Sequence, residues 1–160
     1  MKTLNEIKQI EKEMKIDSQK QLKELLIFLI KHDEAKVIRE NDKYTYYVTT
    51  KGEVYSYTKS TKHIKKLKKF IDGKYYKVHI NKKNERVHRL VKQAFDPDYH
   101  KYEQVNHIDK NSLNNNIDNL EMCTLLENVA HQYMSDKLSS WRVSIKDMRV
   151  AETIAADKKI

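Results

Sequence analysis

The chain of 160 residues has only two glycines, one proline and one cysteine, and each scarcity excludes a class of structure. A single cysteine, Cys123, cannot form a disulfide framework or a cysteine-built zinc site within one chain. The longest apolar run, from Leu25 to Ile30, is far shorter than the about 20 residues that span a membrane. The N-terminus also lacks the apolar core of a signal peptide. The sequence therefore predicts a soluble, cytoplasmic protein of about one domain.

Positive charge is plentiful and unevenly distributed. The formal net charge is +9, and residues 41–104 contain 16 basic and seven acidic side chains, whereas residues 105–134 contain one and four. A basic segment beside an acidic one favours polyanion binding next to a cation site. A solvated basic surface without a partner is the alternative. The predicted nucleic-acid contacts in this segment are Lys59, Lys62, Lys65, Lys66, Lys68 and Lys69.

Apolar spacing predicts helices at the N-terminus and strands in the middle of the chain. Residues 3–31 repeat apolar side chains every three or four positions, and Ser18 followed by Gln21 predicts the start of a second helix there. We expect this arm to pack on the body, with dimerisation as the alternative. From residue 37 to residue 81 the period is two, with turns at Gly52 and Gly73. The tyrosines of these strands either contact nucleic acid or form the half-buried face of a sheet.

The most unusual segment contains six asparagines between positions 106 and 119. Amide side chains shape compact loops, and their oxygens bind hard cations. We predict two paired strands, "YEQVNHID" and "LEMCT", that flank a long loop. Thr124 and Glu127 form a capping-box pattern, which predicts a helix from about Leu125 to Met134. That helix would carry Asn128 and His131 on one side.

Four short segments in this order resemble the HNH endonucleases of phage and intron-homing type. They are "VHRLV", "NHID", "NNIDNLE" and "ENVAH", within residues 85–132. The resemblance implies an α+β fold with a ββα-metal core, also called a His-Me finger, at residues 85–136. A β-rich basic module at residues 41–84 is similar to the nuclease-associated module that precedes this domain in such proteins. Residues 1–40 would form a helical arm and residues 137–160 a helical tail, the latter similar to the start of a helix-turn-helix region.

The resemblance also implies roles for individual residues. His107 would be the general base that activates water, and Asn119 would hold its imidazole by a hydrogen bond. Asn106 and Asn128 would bind one divalent cation, Mg²⁺ or else Mn²⁺, and His131 would be a further ligand or a phosphate contact. No small-molecule cofactor is expected.

Two positions depart from the family pattern. Relatives often have Asp where this chain has Asn106, and a neutral amide would bind the cation more weakly. The nearest carboxylate that we expect to help is that of Asp109. Relatives commonly have Gly where this chain has Lys110, so the turn would differ. We predict that Lys110 and Arg89 contact phosphate.

The expected function is metal-dependent nicking or cleavage of double-stranded DNA, in the cytoplasm of the host cell if a phage encodes the protein. A DNA-binding protein with weak or no catalysis on the same fold is the first alternative, and an RNA nuclease is the second. The sequence leaves open the target site, nicking versus double-strand cleavage, the physiological metal, and whether the protein is a monomer or a dimer.

Overall fold

The computed structural model describes residues 3–101 and 103–140, except for the side chains of residue 131 and residues 135–140. Its elements, in chain order, are α1 (Leu4–Lys31), β1 (Ala35–Glu40), β2 (Tyr44–Thr49), β3 (Val54–Thr58), β4 (His63–Lys66), β5 (Phe70–Asp72), β6 (Tyr75–Ile80), β7 (Lys83–Arg86), α2 (Val87–Phe95), β8 (Gln104–His107), a 3₁₀ turn (Ile117–Asn119), β9 (Leu120–Cys123) and α3 (Leu125–Ser140). This mixture confirms the α+β class. No helix within the described residues is long and apolar enough to cross a membrane.

The strands form three separate sheets. One has the order β1-β2-β3-β4, the second β5-β6-β7, and the third pairs β8 with β9. The chain also divides into two compact units. The first comprises the residues up to Lys101 together with Val105–Met122, and the second contains Cys123 and all of α3.

Helix α1 is continuous, so the predicted helix start at Ser18 is wrong. Thr3 caps the true N-terminus through a reciprocal capping box with Glu6. Ser18 instead donates its hydroxyl to the carbonyl of Lys15, which is part of the same helix. A capping box stabilises backbone N–H groups that lack a partner, and in mid-helix those groups are already bonded. The helical arm ends at Lys31, and residues 35–40 form a strand.

The C-terminal half of α1 packs on the four-stranded sheet, as expected. Leu26 is buried in a cluster with Ala35, Tyr55 and Ile64. The amide of Gln19 adds two hydrogen bonds to one residue of β4, because it donates to the carbonyl of Ile64 at 2.9 Å and accepts from its N–H at 3.0 Å. These contacts fix the direction in which the helix leaves the sheet.

Both predicted glycine turns are present. Gly52 (φ +81°) joins β2 to β3, and Gly73 (φ +65°) joins β5 to β6, in a backbone region that side chains disfavour. The lysine-rich stretch after the first hairpin contains strand β4, and β5 follows it directly; the sequence pattern indicated neither strand.

The tyrosines mainly belong to the protein interior. Tyr46 lies in the larger core, between the four-stranded sheet and α2, while Tyr55 lies in the smaller core under α1. Alternation along the strands places neighbouring residues on opposite faces, and both faces of this sheet are covered. The larger core consists of Tyr46, Val48, Val54, Val78, Ile80, Val87, Leu90, Val91, Val105 and Leu120. The half-buried-sheet interpretation is therefore correct for Tyr46 and Tyr55.

The C-terminal elements follow the predicted order. Thr124 and Glu127 form the expected capping box, with Glu127 N–H donating to Thr124 Oγ1 at 3.2 Å and Thr124 N–H donating to Glu127 Oε2 at 2.8 Å. Helix α3 continues to Ser140, past the expected end at Met134 and the domain boundary at residue 136. The predicted tail, including Trp141, lies outside the described residues from position 141 onward.

Candidate active site

His107 is held at the end of β8 by a buried hydrogen bond. Its Nε2 lies 3.0 Å from Oδ1 of Asn115, and the two side chains are only 5% and 4% exposed. Because the amide oxygen can only accept, Nε2 carries the imidazole proton and Nδ1 keeps a lone pair. A neutral imidazole in this tautomer can accept a proton at Nδ1.

Asn119 does not hold this imidazole, so its predicted role is wrong. Its Oδ1 accepts from the N–H of Asp109 at 3.0 Å. Its Nδ2 donates to Oδ1 of Asp109 and to the carbonyl of Asn114, both at 2.9 Å. Both ends of the amide are therefore occupied by the loop, and Asn115 takes the place next to His107.

The carboxylate of Asp109 organises the same loop. It accepts from the Nδ2 of Asn114 at 2.8 Å and from the N–H of Asn111 at 2.8 Å. These hydrogen bonds, with that of Asn119, lower the pKa of Asp109 below its ordinary value. Asp109 therefore stabilises the loop rather than serving as the carboxylate closest to Asn106.

A second histidine and a tyrosine surround His107. The ring centre of His88 lies 5.1 Å from that of His107, and Tyr75 stacks on His107 at 6.1 Å. His88 is 3% exposed, and burial, followed by the nearby His107, Arg86 and Arg89, lowers its pKa to about 3. Because His88 is neutral, it packs against His107 without placing a second positive charge beside it.

Asn106 has a carboxylate beside it. Its Nδ2 donates to Oε1 of Glu121 at 3.0 Å. This bond occupies the amide nitrogen and leaves Oδ1 as the atom available to a cation. Amide and carboxylate oxygens are the ligand types that Mg²⁺ prefers, so these residues fit a hard divalent cation.

The other two predicted ligands are on α3, in the second unit. Asn128 is half-buried in the first turn, where its N–H donates to the carbonyl of Thr124. His131 lies one turn further along, and its side chain is outside the described part of the chain. Their approach to Asn106 stays a prediction. Among the described residues, no three His, Cys, Asp or Glu side chains are grouped to hold a metal.

Lys110 has the backbone conformation of the glycine that it replaces. Its φ is +62°, and its N–H donates to the carbonyl of His107 at 3.0 Å. The turn after "HID" therefore keeps the glycine-like geometry, contrary to the expected change. Lys110 is exposed, and its contact with a phosphate stays a prediction.

The six predicted lysine contacts separate into two groups. Lys59 pairs with Glu40, and Lys66 and Lys69 both pair with Glu53. The remaining members are exposed and form no ion pair within the described residues: Lys62, Lys65 and Lys68. The second group is the better candidate for phosphate contact.

The two arginines near the site differ in their contacts and in their exposure. Arg89 donates to the carbonyl of Lys101 at 2.6 Å and lies over the ring of Tyr99, which indicates a structural role. Arg86 is exposed, and its guanidinium carbon lies 5.0 Å from the ring centre of Tyr75. Sequence reasoning missed Arg86, although its place two residues before His88 was a usable signal.

Strands β8 and β9 pair, a buried histidine ends the first, and α3 follows the second along the chain, which is the element order of a ββα-metal core. Residues 85–130 match the family model described as HNH endonuclease, so this segment of the chain is similar to that family. The chain is 35% identical over 108 residues to "Uncharacterized HNH endonuclease L245" of Acanthamoeba polyphaga mimivirus. That alignment covers 64% of this chain and 32% of the mimivirus protein, so the chain spans about a third of that relative.

The fold is also similar to a solved structure of an HNH homing endonuclease. That structure is described as "DNA binding and cleavage by the HNH homing endonuclease I-HmuI". The match has a TM-score of 0.51 and 29% sequence identity, and it covers 79% of this chain and 68% of the other. Because it covers more than residues 85–130, the likeness extends beyond the HNH segment.

Proposed function

We propose that this protein is a metal-dependent endonuclease that hydrolyses phosphodiester bonds in double-stranded DNA. The observation that carries the proposal is the buried contact between His107 and Asn115 within the HNH domain. It leaves one imidazole nitrogen available as a base next to an amide, Asn106, that suits a hard cation. Similarity to a homing endonuclease described as binding and cleaving DNA supports DNA as the substrate.

His107 acts as the general base in this reaction. Nδ1 accepts a proton from water while the water oxygen attacks phosphorus. The bond from phosphorus to the 3′ oxygen then breaks, and that oxygen takes up a proton. The products are a 5′ phosphate and a 3′ hydroxyl. Asn115 keeps the neutral imidazole in the required tautomer before this proton transfer and still accepts from Nε2–H after it.

Asn106 and Asn128 would hold the divalent cation, with His131 as a further ligand or as a phosphate contact. When bound, Mg²⁺ or Mn²⁺ would offset negative charge on the scissile phosphate and on the leaving oxygen. The carboxylate of Glu121 adds the negative charge that Asn106 lacks, because it contacts the same amide.

Exposed cations of the first unit supply the DNA contacts. Lys62, Lys65 and Lys68 lie on or beside β4, whereas Arg86 and Lys110 are close in sequence to His88 and His107. Each lysine or arginine that contacts a phosphate releases counterions, so binding should weaken steeply with salt. The three described lysines that are paired with Glu40 or Glu53 contribute less.

The test is a nicking assay on supercoiled plasmid and mixed phage DNA with Mg²⁺, Mn²⁺ or EDTA. We expect metal-dependent conversion that is lost in His107→Ala, because removal of a general base lowers the rate about 10²- to 10⁴-fold. His63→Ala is the matched control, since His63 is exposed on β4. Cleavage that persists at the wild-type rate in His107→Ala would sink the proposal.

A DNA-binding protein without catalysis is the second candidate, and neutral Asn106 favours it. Two amide ligands bind a cation more weakly than a carboxylate and an amide. That candidate predicts salt-dependent DNA binding with no cleavage under any metal. A parallel competition between duplex DNA and structured RNA tests the choice of nucleic acid.

A further inference from the structure

The turn between β2 and β3 contacts the loop that holds the catalytic histidine. The carbonyl of Thr50 accepts from the N–H of Ile117 at 2.8 Å. Gly52 is buried directly against Asn115: a Cβ at Gly52 would lie 2.8 Å from the Cβ of Asn115 and 3.3 Å from Cγ1 of Val87. Only a residue without a side chain fits at this position while Asn115 stays where it is.

Lys69 fixes the other side of this turn. Its Nζ donates to the carbonyl of Gly52 at 3.3 Å and to Oε1 of Glu53 at 3.0 Å. Burial alone would raise the pKa of Glu53, but the hydrogen bonds from Lys69 and Lys66 outweigh it and lower the pKa. The carboxylate therefore stays charged, and Lys69 remains bound to the turn instead of extending into solvent.

We propose that the Thr50–Gly52 turn positions His107 by fixing Asn115, with Gly52 and Lys69 as positioning residues of the nuclease. The upstream sheet is then part of the catalytic centre and not only a separate DNA-binding module. Lys69 acts through the turn rather than through DNA, in contrast to its role predicted from sequence. The expected change in kcat rests on the proposed function. The expected change in the His107 signals does not depend on cleavage.

The first test reads the imidazole directly. In protein labelled with ¹⁵N histidine, a long-range ¹H–¹⁵N correlation spectrum at about pH 8 reports which ring nitrogen of His107 carries the proton. Wild type should show the Nε2–H tautomer, and Asn115→Ala defines the spectrum after loss of the acceptor. We expect Gly52→Ala to move the His107 signals toward those of Asn115→Ala, because the added methyl displaces Asn115.

Gly73→Ala is the matched control for backbone strain. Gly73 has a φ of +65°, close to that of Gly52, but a Cβ there would meet no atom within 4 Å. It therefore imposes a similar conformational strain without a collision, and its His107 signals should stay as in wild type. A change of equal size in Gly73→Ala would overturn the proposal, since strain alone would then explain the effect.

Lys69→Gln tests the turn without adding a group. It should shift the His107 signals in the same direction as Gly52→Ala and lower kcat for nicking about tenfold with an unchanged KM for DNA. Its neighbour Lys68→Gln removes the same charge from an exposed side chain and should leave the His107 signals unchanged. If Gly52→Ala does not fold, Lys69→Gln decides the question alone.

The outcomes separate this inference from the proposed function. Wild-type His107 signals in both Gly52→Ala and Lys69→Gln would overturn the inference, whether or not the protein cleaves DNA. A raised KM with an unchanged kcat in Lys69→Gln would also overturn it and would make Lys69 a DNA contact. Shifted signals in a protein that cleaves no DNA would support the positioning role and refute only the nuclease function.

Discussion

Asn106 on β8 and Glu121 on β9 are joined by a 3.0 Å hydrogen bond from the amide nitrogen to the carboxylate. Asn106 is neutral at a position where relatives often have a charged aspartate, but the carboxylate of Glu121 lies beside it. We expect Glu121→Gln to raise the Mg²⁺ concentration for half-maximal nicking about fivefold, because a unit charge at about 4 Å contributes about 1 kcal/mol even in water. A metal titration of the nicking rate measures this shift.

Asp118→Asn provides the control for Glu121→Gln. Asp118 is an exposed acid in the same segment, and its substitution removes the same charge at another place. Equal shifts in the two variants would mean that only the overall charge matters, and Glu121 would then have no special role.

Aspartate at position 106 should increase metal affinity more when Glu121 is neutralised. In Asn106→Asp, two carboxylates would face each other and the amide hydrogen bond would be lost, so part of the gain in metal affinity would be offset. The gain in Mn²⁺ affinity from Asn106→Asp should therefore be about five- to tenfold in the Glu121→Gln background and smaller in the wild-type background. Calorimetric titration measures the affinities, and additive effects would contradict this coupling.

Substitution of Asn115 should mainly lower kcat, whereas substitution of Asn119 should mainly lower the free energy of unfolding. Asn115→Ala removes the acceptor of the His107 proton, so kcat should fall about 100-fold. Asn119→Ala removes three hydrogen bonds within the loop, so the free energy of unfolding should fall by roughly 2–4 kcal/mol. Nicking kinetics and urea denaturation of both variants give the comparison, and a kinetic loss confined to Asn119→Ala would restore the family assignment.

Acid should destabilise the protein through His88. Its pKa is about 3 in the folded protein and about 6.5 when unfolded, so below pH 6.5 the unfolded chain binds a proton that the folded chain does not. From this group the free energy of unfolding should fall by about 1.4 kcal/mol per pH unit between those values. Denaturation of wild type and His88→Gln from pH 7 to pH 5 measures the slope. An unchanged slope in His88→Gln would contradict this assignment.

Lys110→Gly should stabilise the fold and weaken DNA binding. Glycine adopts the positive φ of this position without strain, and the gain of up to about 1 kcal/mol is reduced by the greater freedom of glycine in the unfolded chain. Lys110→Ala removes the same charge and keeps the strain. Thermal unfolding should therefore distinguish the two variants, whereas their DNA affinities should be equally lower than that of wild type. Wild-type affinity in both would exclude Lys110 as a phosphate contact.

Local patterns predicted most of the elements around the site. The two glycine turns and the capping box at Thr124 depend on neighbouring residues, so their signals are complete in the sequence. The helix start predicted at Ser18 is wrong because that prediction also used neighbouring residues alone. A capping pattern carries no information on whether the helix has already begun.

The partner of His107 could not be chosen from the sequence. Several asparagines in the loop can reach a neighbouring strand, and the choice depends on which of them are bound to Asp109. The carboxylate engages Asn114 and Asn119, which leaves Asn115 to turn toward the imidazole. Contacts between distant segments, such as Gly52 on Asn115, have no local pattern at all.

The amide of Gln19 protects the edge of the four-stranded sheet from self-association. β4 is the outer strand of its sheet, and a free outer strand presents N–H and carbonyl groups that can recruit a strand from another molecule. Gln19 occupies both backbone groups of Ile64. Helix α1 thereby closes part of that edge, so shortening the helix should first appear as self-association in light scattering, before any loss of secondary structure.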